Sequence, residues 1–546
     1  MKRRLLSLMV VLAIALSIMT AFSATSGAAT KVTSAKDSIT VIYAAEPETI
    51  DPALNSTTDG STLILHAFEG LTRIDAKGNT VPGVAEKWTV SKDGKVYTFK
   101  LRKNAKWSDG VPVTAKDFDY AWKRAIDPKL ASPYSFLMYY IKNAEDYFNG
   151  KTTVDKVGIK VVDDYTLEVT LKTPTSFFLD LVNQSTYMPV RKDIIEANAE
   201  KWTQDPATYI GNGAYKLTSW THSESIKMTK SETYWDSANV GFIKNITWKL
   251  TDDQNTAYNA YLSKQVDALL NNNIPAAQIK TLMQKKELKI YPNLATYYFE
   301  FSVNKKPFDN KKVRQAMSLA INREYLVENI TGAGQKPAVG FVPYGIKGAV
   351  NGTDFRSEKA AKKYISTKPQ ISQAKKLLAE AGYPNGKGLP TIEVVYNTSS
   401  NHQKISQYLQ QQWEKNLGIK VKLTNMEFKV LIPKRQAHDF QIARAGWSAD
   451  FNDPITFLDL FTQANGNNDP DFNNKEYEKQ IKIAQTSADN KVRMAAMHKA
   501  EAILMEEMPV IPLYYYVTYQ LEDPKLAGMV VTPQSFVYLQ YAYFKK

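Results

Sequence analysis

The chain has no cysteine in 546 residues. That absence excludes disulfides, thiolate metal sites, cysteine nucleophiles and the acylated cysteine that tethers many bacterial surface lipoproteins. Histidine is scarce too. His66, His222, His402, His438 and His498 are the whole complement, and no two have the spacing that sets two imidazoles on one metal. No metal and no cofactor is expected. There is no Walker loop before any Lys-Ser/Thr pair, and Gly332-Ala333-Gly334 is too short for a dinucleotide fingerprint and reads as a loop. No G-x-S-x-G elbow occurs, since Gly446-Trp447-Ser448-Ala449-Asp450 lacks the closing glycine. Carboxylates are plentiful, so a two-carboxylate glycosidase stays open at this point, being decided by proximity in space.

Long apolar runs are missing as well, with one exception at the start. Lys2, Arg3 and Arg4 precede an apolar run over residues 5–21, and the small residues Ser23, Ala24, Gly27, Ala28 and Ala29 follow it. This is the layout of a secretory signal peptide over residues 1–29. With no second run of that kind, a polytopic membrane protein is excluded. The expected product is a soluble protein outside the cytoplasmic membrane, periplasmic or associated with the cell surface, and without a lipid anchor. The formal charge is +14, of which Lys2, Arg3 and Arg4 supply three. Lys and Arg are interspersed with Asp and Glu and form no basic block, so no nucleic-acid partner is expected. The length after the signal segment suggests roughly three folded units. Aromatic side chains recur in every segment; most belong to cores, and some are available to stack on a ligand.

The first half reads as hairpins. Trp88 and Val90, the turn Lys92-Asp93-Gly94, and Tyr97, Phe99 and Leu101 alternate with period two. Val157, Ile159 and Val161 repeat the pattern through Asp163-Asp164 to Leu167, Val169 and Leu171. The second half changes character. Val313, Met317, Ala320 and Ile321 keep helical spacing after the capping candidates Asp309 and Asn310, and residues 374–381 form a second helix ending at Gly382. A strand at 392–396 leads to a helix with Ile405, Leu409, Trp413 and Leu417 at i, i+4, closed by Gly418. A strand with Ile419, Val421 and Leu423 follows, and the three make a βαβ unit. The pattern also predicts a strand over 440–445 that stops at Gly446-Trp447, and strand ends of this kind are where open α/β sheets place ligands. The fold class is α/β with mixed sheets.

The stretch VAEKWTVSKDGKVYTFKLRKNAKWSDGVPVTAKDFDYAWKRAID at 84–127 resembles the signature of the peptide and nickel solute-binding proteins of ABC importers. DPALNSTTDG at 51–60, NGAYKLTSW at 212–220, YLSKQVDALL at 261–270 and VRQAMSLAINRE at 313–324 extend the resemblance along nearly the whole chain. ARAGWSADFNDPITFL at 443–458, NTSSNH at 397–402 and PLYYYV at 512–517 are similar to the oligopeptide-binding branch. The resemblance implies a two-lobed periplasmic-binding-protein-like fold of type II with an extra inserted domain. Lobe I would take residues 31–68, 206–292 and 517–546, the hairpin-rich domain II residues 69–205, and lobe III residues 293–516. It implies capture of short peptides with low sequence specificity between the lobes, delivery to the permease subunits of a membrane ABC importer, and a monomer. Murein-peptide, dipeptide and signalling-peptide receptors of the same family are alternatives.

The site residues follow from the same resemblance. Asp450 would pair with the peptide α-ammonium, and Ala445, Gly446 and Trp447 would offer backbone groups to an extended peptide. Arg444, Arg435 and His402 fall near where the family places the ligand carboxylate. Tyr514, Tyr515 and Tyr516 alternate across a strand, so only part of the run can face the cleft, and Tyr515 is the expected contact. No catalytic residue is expected. A secreted hydrolase acting on the ligands it encloses is the reading from another class.

Overall fold

The computed structural model describes residues 34–546 apart from Ala44, Ala45, Glu48, Gly78, Ser176, Asp252, Asn351 and Ala464, so the signal segment at 1–29 lies outside the described residues. The chain opens with β1 (Ser38–Ile42) and then α1 (Thr58–Ala67), whose cap Thr57 accepts a hydrogen bond from the Gly60 amide. The two hairpins form where the alternation places them. Strands β2 (Ala85–Val90) and β3 (Val96–Leu101) pair antiparallel, as do β4 (Ile159–Asp163) and β5 (Thr166–Thr170), and the four make one sheet in the order β2-β3-β5-β4. Gly94 takes a φ of 72° in the first turn, a conformation cheap only for glycine.

The chain continues through β6 (Tyr215–Thr221), β7 (Ser225–Lys230), β8 (Asn245–Lys249), β9 (Ala268–Leu269) and the long β10 (Lys289–Phe301). Helix α2 (Lys311–Leu319) is capped by Asn310, whose side chain accepts from the Lys312 amide, and α3 (Ile371–Glu380) ends before Gly382 at φ 93°. Then come β11 (Ile392–Asn397), α4 (Ser400–Leu417) and β12 (Val421–Met426), with β11 and β12 parallel. Gly418 ends α4 in the left-handed region, and Ile405, Leu409, Trp413 and Leu417 are all buried along one stripe. Helix α5 (Phe428–Gln436), strand β13 (Ile442–Ser448), the short α6 (Ile455–Leu458) and β14 (Val510–Glu522) complete the frame.

One sheet runs through the molecule in the order β12-β11-β13-β10-β14-β9-β1-β8-β7-β6, with Lys336–Pro337 pairing beside β14. Its centre is the pair β10 and β14, 13 residues each, matched antiparallel from Lys289 opposite Gln520 to Glu300 opposite Val510. These strands pass between two cores. Because strand side chains alternate, Tyr298 joins a core with Phe68, Trp122 and Ala445, while its neighbour Tyr297 joins another with Met317, Trp413 and Ile442.

The structure corrects one expectation about the strand over 440–445. It begins at Ile442 and continues through Gly446 and Trp447 to Ser448, paired with β10 from Phe301 opposite Ile442 to Ala295 opposite Ser448. Gly446 does not stop it. A Cβ there would lie 2.9 Å from the Tyr516 hydroxyl and 3.3 Å from Arg444 Nη2, so the glycine marks a close approach of neighbours rather than a strand end.

Candidate functional site

Strand β13 sets the geometry. Ala445 and Trp447 face the first core, while Ile442 and Arg444 face the second. On one side β13 is paired with β10 along its length. On the other, β11 meets it only at Ile442 and Ala443. Among the described residues, therefore, no strand occupies the second edge of residues 444–448.

Beyond β13 the chain turns into a loop pinned at three points. The Ala449 amide donates to the Leu294 carbonyl (2.8 Å), the Asp450 amide to Thr456 Oγ1 (3.3 Å), and the Ile455 amide to Asp453 Oδ1 (3.1 Å). The loop presents Asp450 to a chamber that is partly open to solvent. Its walls come from five parts of the chain: Asn55 to Ser61 at the start of α1, Tyr134 and Leu137, Gln184 to Thr186, Trp447 to Asp450, and Gln534 with Phe536. Buried Thr186 has a hydroxyl with no partner among the described residues, as expected of a wall that meets ligand or water.

Asp450 keeps part of its surface open to the chamber while protein closes round it elsewhere. Burial pushes its carboxyl up to about 7, and only a hydrogen bond from Thr456 opposes this. Among the described residues it has no ion pair. Its neighbour Asp453 is different, held by the Arg493 guanidinium at 3.0 Å. Tyr134 and Tyr140 stand close enough that the Asp450 charge helps raise their phenols, after burial.

Arg444 and His402 are brought together, on the other face of the sheet from Trp447. Arg444 lies 4.7 Å from the Tyr297 ring centre and donates to Tyr516 Oη (2.7 Å) and Asn397 Oδ1 (3.4 Å). Among the described residues its Nε has no hydrogen-bond partner and no carboxylate pairs with it. His402 Nδ1 meets Tyr297 Oη at 3.0 Å. Burial, and then the Arg444 charge, push His402 down to about 3, so it is neutral. The cluster thus holds one guanidinium among aromatic rings, with no carboxylate among the described residues paired to it.

Arg435 and Tyr515 have other partners. Arg435, on α5, bonds Glu300 at 2.6 Å through Nε and Asp469 at 2.7 Å through Nη2. Glu300 is 1% exposed, and burial pushes it up to about 7 against the pull of Arg435. The Tyr515 hydroxyl donates to the Gly340 carbonyl (3.1 Å) and accepts from the Val339 and Gly340 amides (3.2 and 3.1 Å). That leaves it no free valence for a ligand. Sequence reasoning missed Thr186, Gln184 and the α1 entry as chamber walls, and it missed Asp459, because each reaches the site from a distant segment or lies outside any strand-end pattern.

Among the described residues no helix is long and apolar enough to cross a membrane, and no group of three or more His, Cys, Asp or Glu could hold a metal ion. Residues 79–469 match the family described as bacterial extracellular solute-binding proteins, family 5. The oligopeptide-binding protein OppA of Bacillus subtilis is 38% identical over 95% of each chain. The Escherichia coli murein tripeptide binding protein MppA superposes with a TM-score of 0.81 at 36% identity, covering 94% of this chain and 99% of that one. The unliganded open form of MppA fits less well, at 0.75 with 35% identity over 94% and 98% of the two chains. With the family match over most of its length and relatives of this identity covering nearly all of it, the chain belongs to family 5 of the bacterial extracellular solute-binding proteins.

Proposed function

We propose that the protein captures short peptides outside the cytoplasmic membrane and delivers them to the permease subunits of an ABC importer, without chemical change to the peptide. The ligand would lie in a cleft between lobe I, at 31–68, 206–292 and 517–546, and lobe III, at 293–516, with domain II inserted at 69–205, and the molecule would act as a monomer. The observation that carries the reading is Asp450, a desolvated carboxyl at a chamber with no cation among the described residues to meet it. A peptide α-ammonium supplies one. The unpaired edge of residues 444–448 offers the peptide backbone a place to add as a strand, and Arg444 offers a charge for a carboxylate. Affinity would then come from groups all peptides share, and a polar, water-holding chamber would accommodate varied side chains because bridging waters rearrange at small cost.

Relatives named as oligopeptide- and murein-tripeptide-binding proteins support the same class. The test is to denature the purified protein and identify by mass spectrometry what it releases, then to titrate those compounds back by calorimetry. Short peptides recovered intact support the reading. Recovery of no peptide, or cleavage of added peptides, overturns it, the second in favour of a hydrolase.

A further inference from the structure

We propose that Phe177 is a latch: it clasps the loop that carries Asp450 when the lobes close on a peptide, so that the segment 69–205 slows release of the ligand without touching it. The inference deepens the peptide reading and rests on it. It starts from two adjacent phenylalanines with different partners. Phe178 opens the short helix Phe178–Leu181 and packs into the hairpin core, its ring centre 5.0 Å from that of Tyr97 and 6.4 Å from that of Phe99. Phe177 instead lies flat on Phe451, with ring centres 4.3 Å apart and planes within 7° of parallel. Phe451 follows Asp450 directly, so the residue proposed to hold the peptide α-ammonium and the ring against Phe177 share one loop.

Three more contacts join the same two parts of the chain. Tyr140 stands edge-on to both rings, 5.2 Å from Phe177 and 6.2 Å from Phe451. Arg493 lies 5.4 Å from the Phe177 ring centre while its guanidinium holds Asp453, in the Asp450 loop, at 3.0 Å. At the rim Lys347 Nζ donates to Asp180 Oδ2 at 2.7 Å, and the Lys347 amide donates to Asn452 Oδ1 at 2.8 Å. Residues 451, 452 and 453 are thus each tied to the segment 69–205, directly or through one side chain. Phe177 is 7% exposed and Phe451 3%, so parting the lobes here would put two phenyl rings into water. That cost opposes opening and therefore falls on release rather than on encounter. A ligand held at Asp450 favours the loop position in which Phe451 meets Phe177, and this couples occupancy of the chamber to the clasp.

The experiment uses the full-length protein with trialanine, tetraalanine and pentaalanine in turn, reading affinity by calorimetry and release by stopped-flow tryptophan fluorescence. Phe177→Ala is expected to bind about tenfold more weakly than wild type, through faster release at an unchanged association rate. Phe177→Leu, which keeps apolar bulk without the flat stack, should fall between the two and keep the ligand-free melting point of the wild type. In a Phe451→Ala background, where the partner ring is already gone, Phe177→Ala should add little. Wild-type affinity and release in both Phe177 variants overturn the inference, as does a full loss retained in the Phe451→Ala background. A lowered ligand-free melting point in Phe177→Leu with unchanged release also overturns it, since that is the mark of a core residue. The reading beneath it is judged separately: a wild type that binds none of the alanine peptides ends the peptide reading and the latch together, whereas a wild type that binds them, with Phe177 variants that release them no faster, ends the latch alone.

Discussion

Asp450 and Asp459 line one chamber, and neither carboxylate has a cation from the described residues to balance it. Their neighbour Asp453, three residues from Asp450, is fully engaged by Arg493. Leaving two of three nearby carboxylates uncompensated costs stability in the empty state, which a cationic ligand at this site would restore.

Asp450→Asn should therefore separate binding from stability. Truncating one member of a desolvated charge pair costs about 2–5 kcal/mol, or roughly 30- to 4000-fold in Kd. An N-acetylated peptide should lose a similar factor on the wild type, and the two changes together should be less than additive. Titration calorimetry of the four combinations decides this; free and acetylated peptides binding the wild type equally would make Asp450 a structural residue.

The same substitution should stabilise the empty protein at neutral pH. Asp450 is raised from 3.8 to about 7, so the folded state holds its proton more tightly than the unfolded chain. The side chain is harmless to stability below about pH 4 and increasingly unfavourable as pH rises towards 7. Ligand-free Asp450→Asn should melt about 1–3 °C higher than wild type at pH 7.5, with the gap closing towards pH 4.5. A lower melting point at pH 7.5 would contradict the assignment.

Affinity should be bell-shaped in pH. Asp450 must lose its proton to hold an ammonium, so binding weakens as pH falls below about 7. Above about 8 the peptide α-amine, with an ordinary pKa near 7.7–8.0, loses its charge and binding weakens again. Calorimetry from pH 5 to 9 with an uncharged-side-chain peptide reads both limbs. A flat acid limb would show that Asp450 is ionised throughout.

Arg435 should behave as a structural residue. Removing it leaves Glu300 and Asp469 buried without their cation, which costs about 3–5 kcal/mol of stability. The loss in Arg435→Met should be larger at pH 8 than at pH 5, because acid lets Glu300, already raised to about 7, take up a proton. Urea denaturation at the two pH values measures it. A normal midpoint with lost peptide affinity would place Arg435 in the ligand site instead.

Peptide should compact the molecule in small-angle scattering. Strands β10 and β14 run between two cores, and register shifts interrupt their pairing at Pro292/Thr296 and Tyr297/Tyr298, a place where bending costs few ladder bonds. The radius of gyration should fall on saturation; an unchanged profile would mean a rigid, preformed site.

Period-two and period-3.6 patterns settled much of the local structure from sequence alone: both hairpins, the Asn310 cap, and the βαβ unit closed at Gly418 all form where alternation and capping chemistry place them. These features depend on contacts within a few residues. The motif ARAGWSADFNDPITFL likewise drew attention to Asp450. Whether Gly446 ends a strand or lets Tyr516 approach is a question about a residue 70 positions away, and the pattern misjudged it. The same limit applies to charge. In sequence, Arg435 and Arg444 are two arginines nine residues apart, and Asp450, Asp453 and Asp459 are three like carboxylates. Only packing shows that Arg435 and Asp453 have partners while Arg444, Asp450 and Asp459 lack a counter-ion among the described residues, because a charge is paired or left open by what the tertiary fold brings within a few ångströms of it.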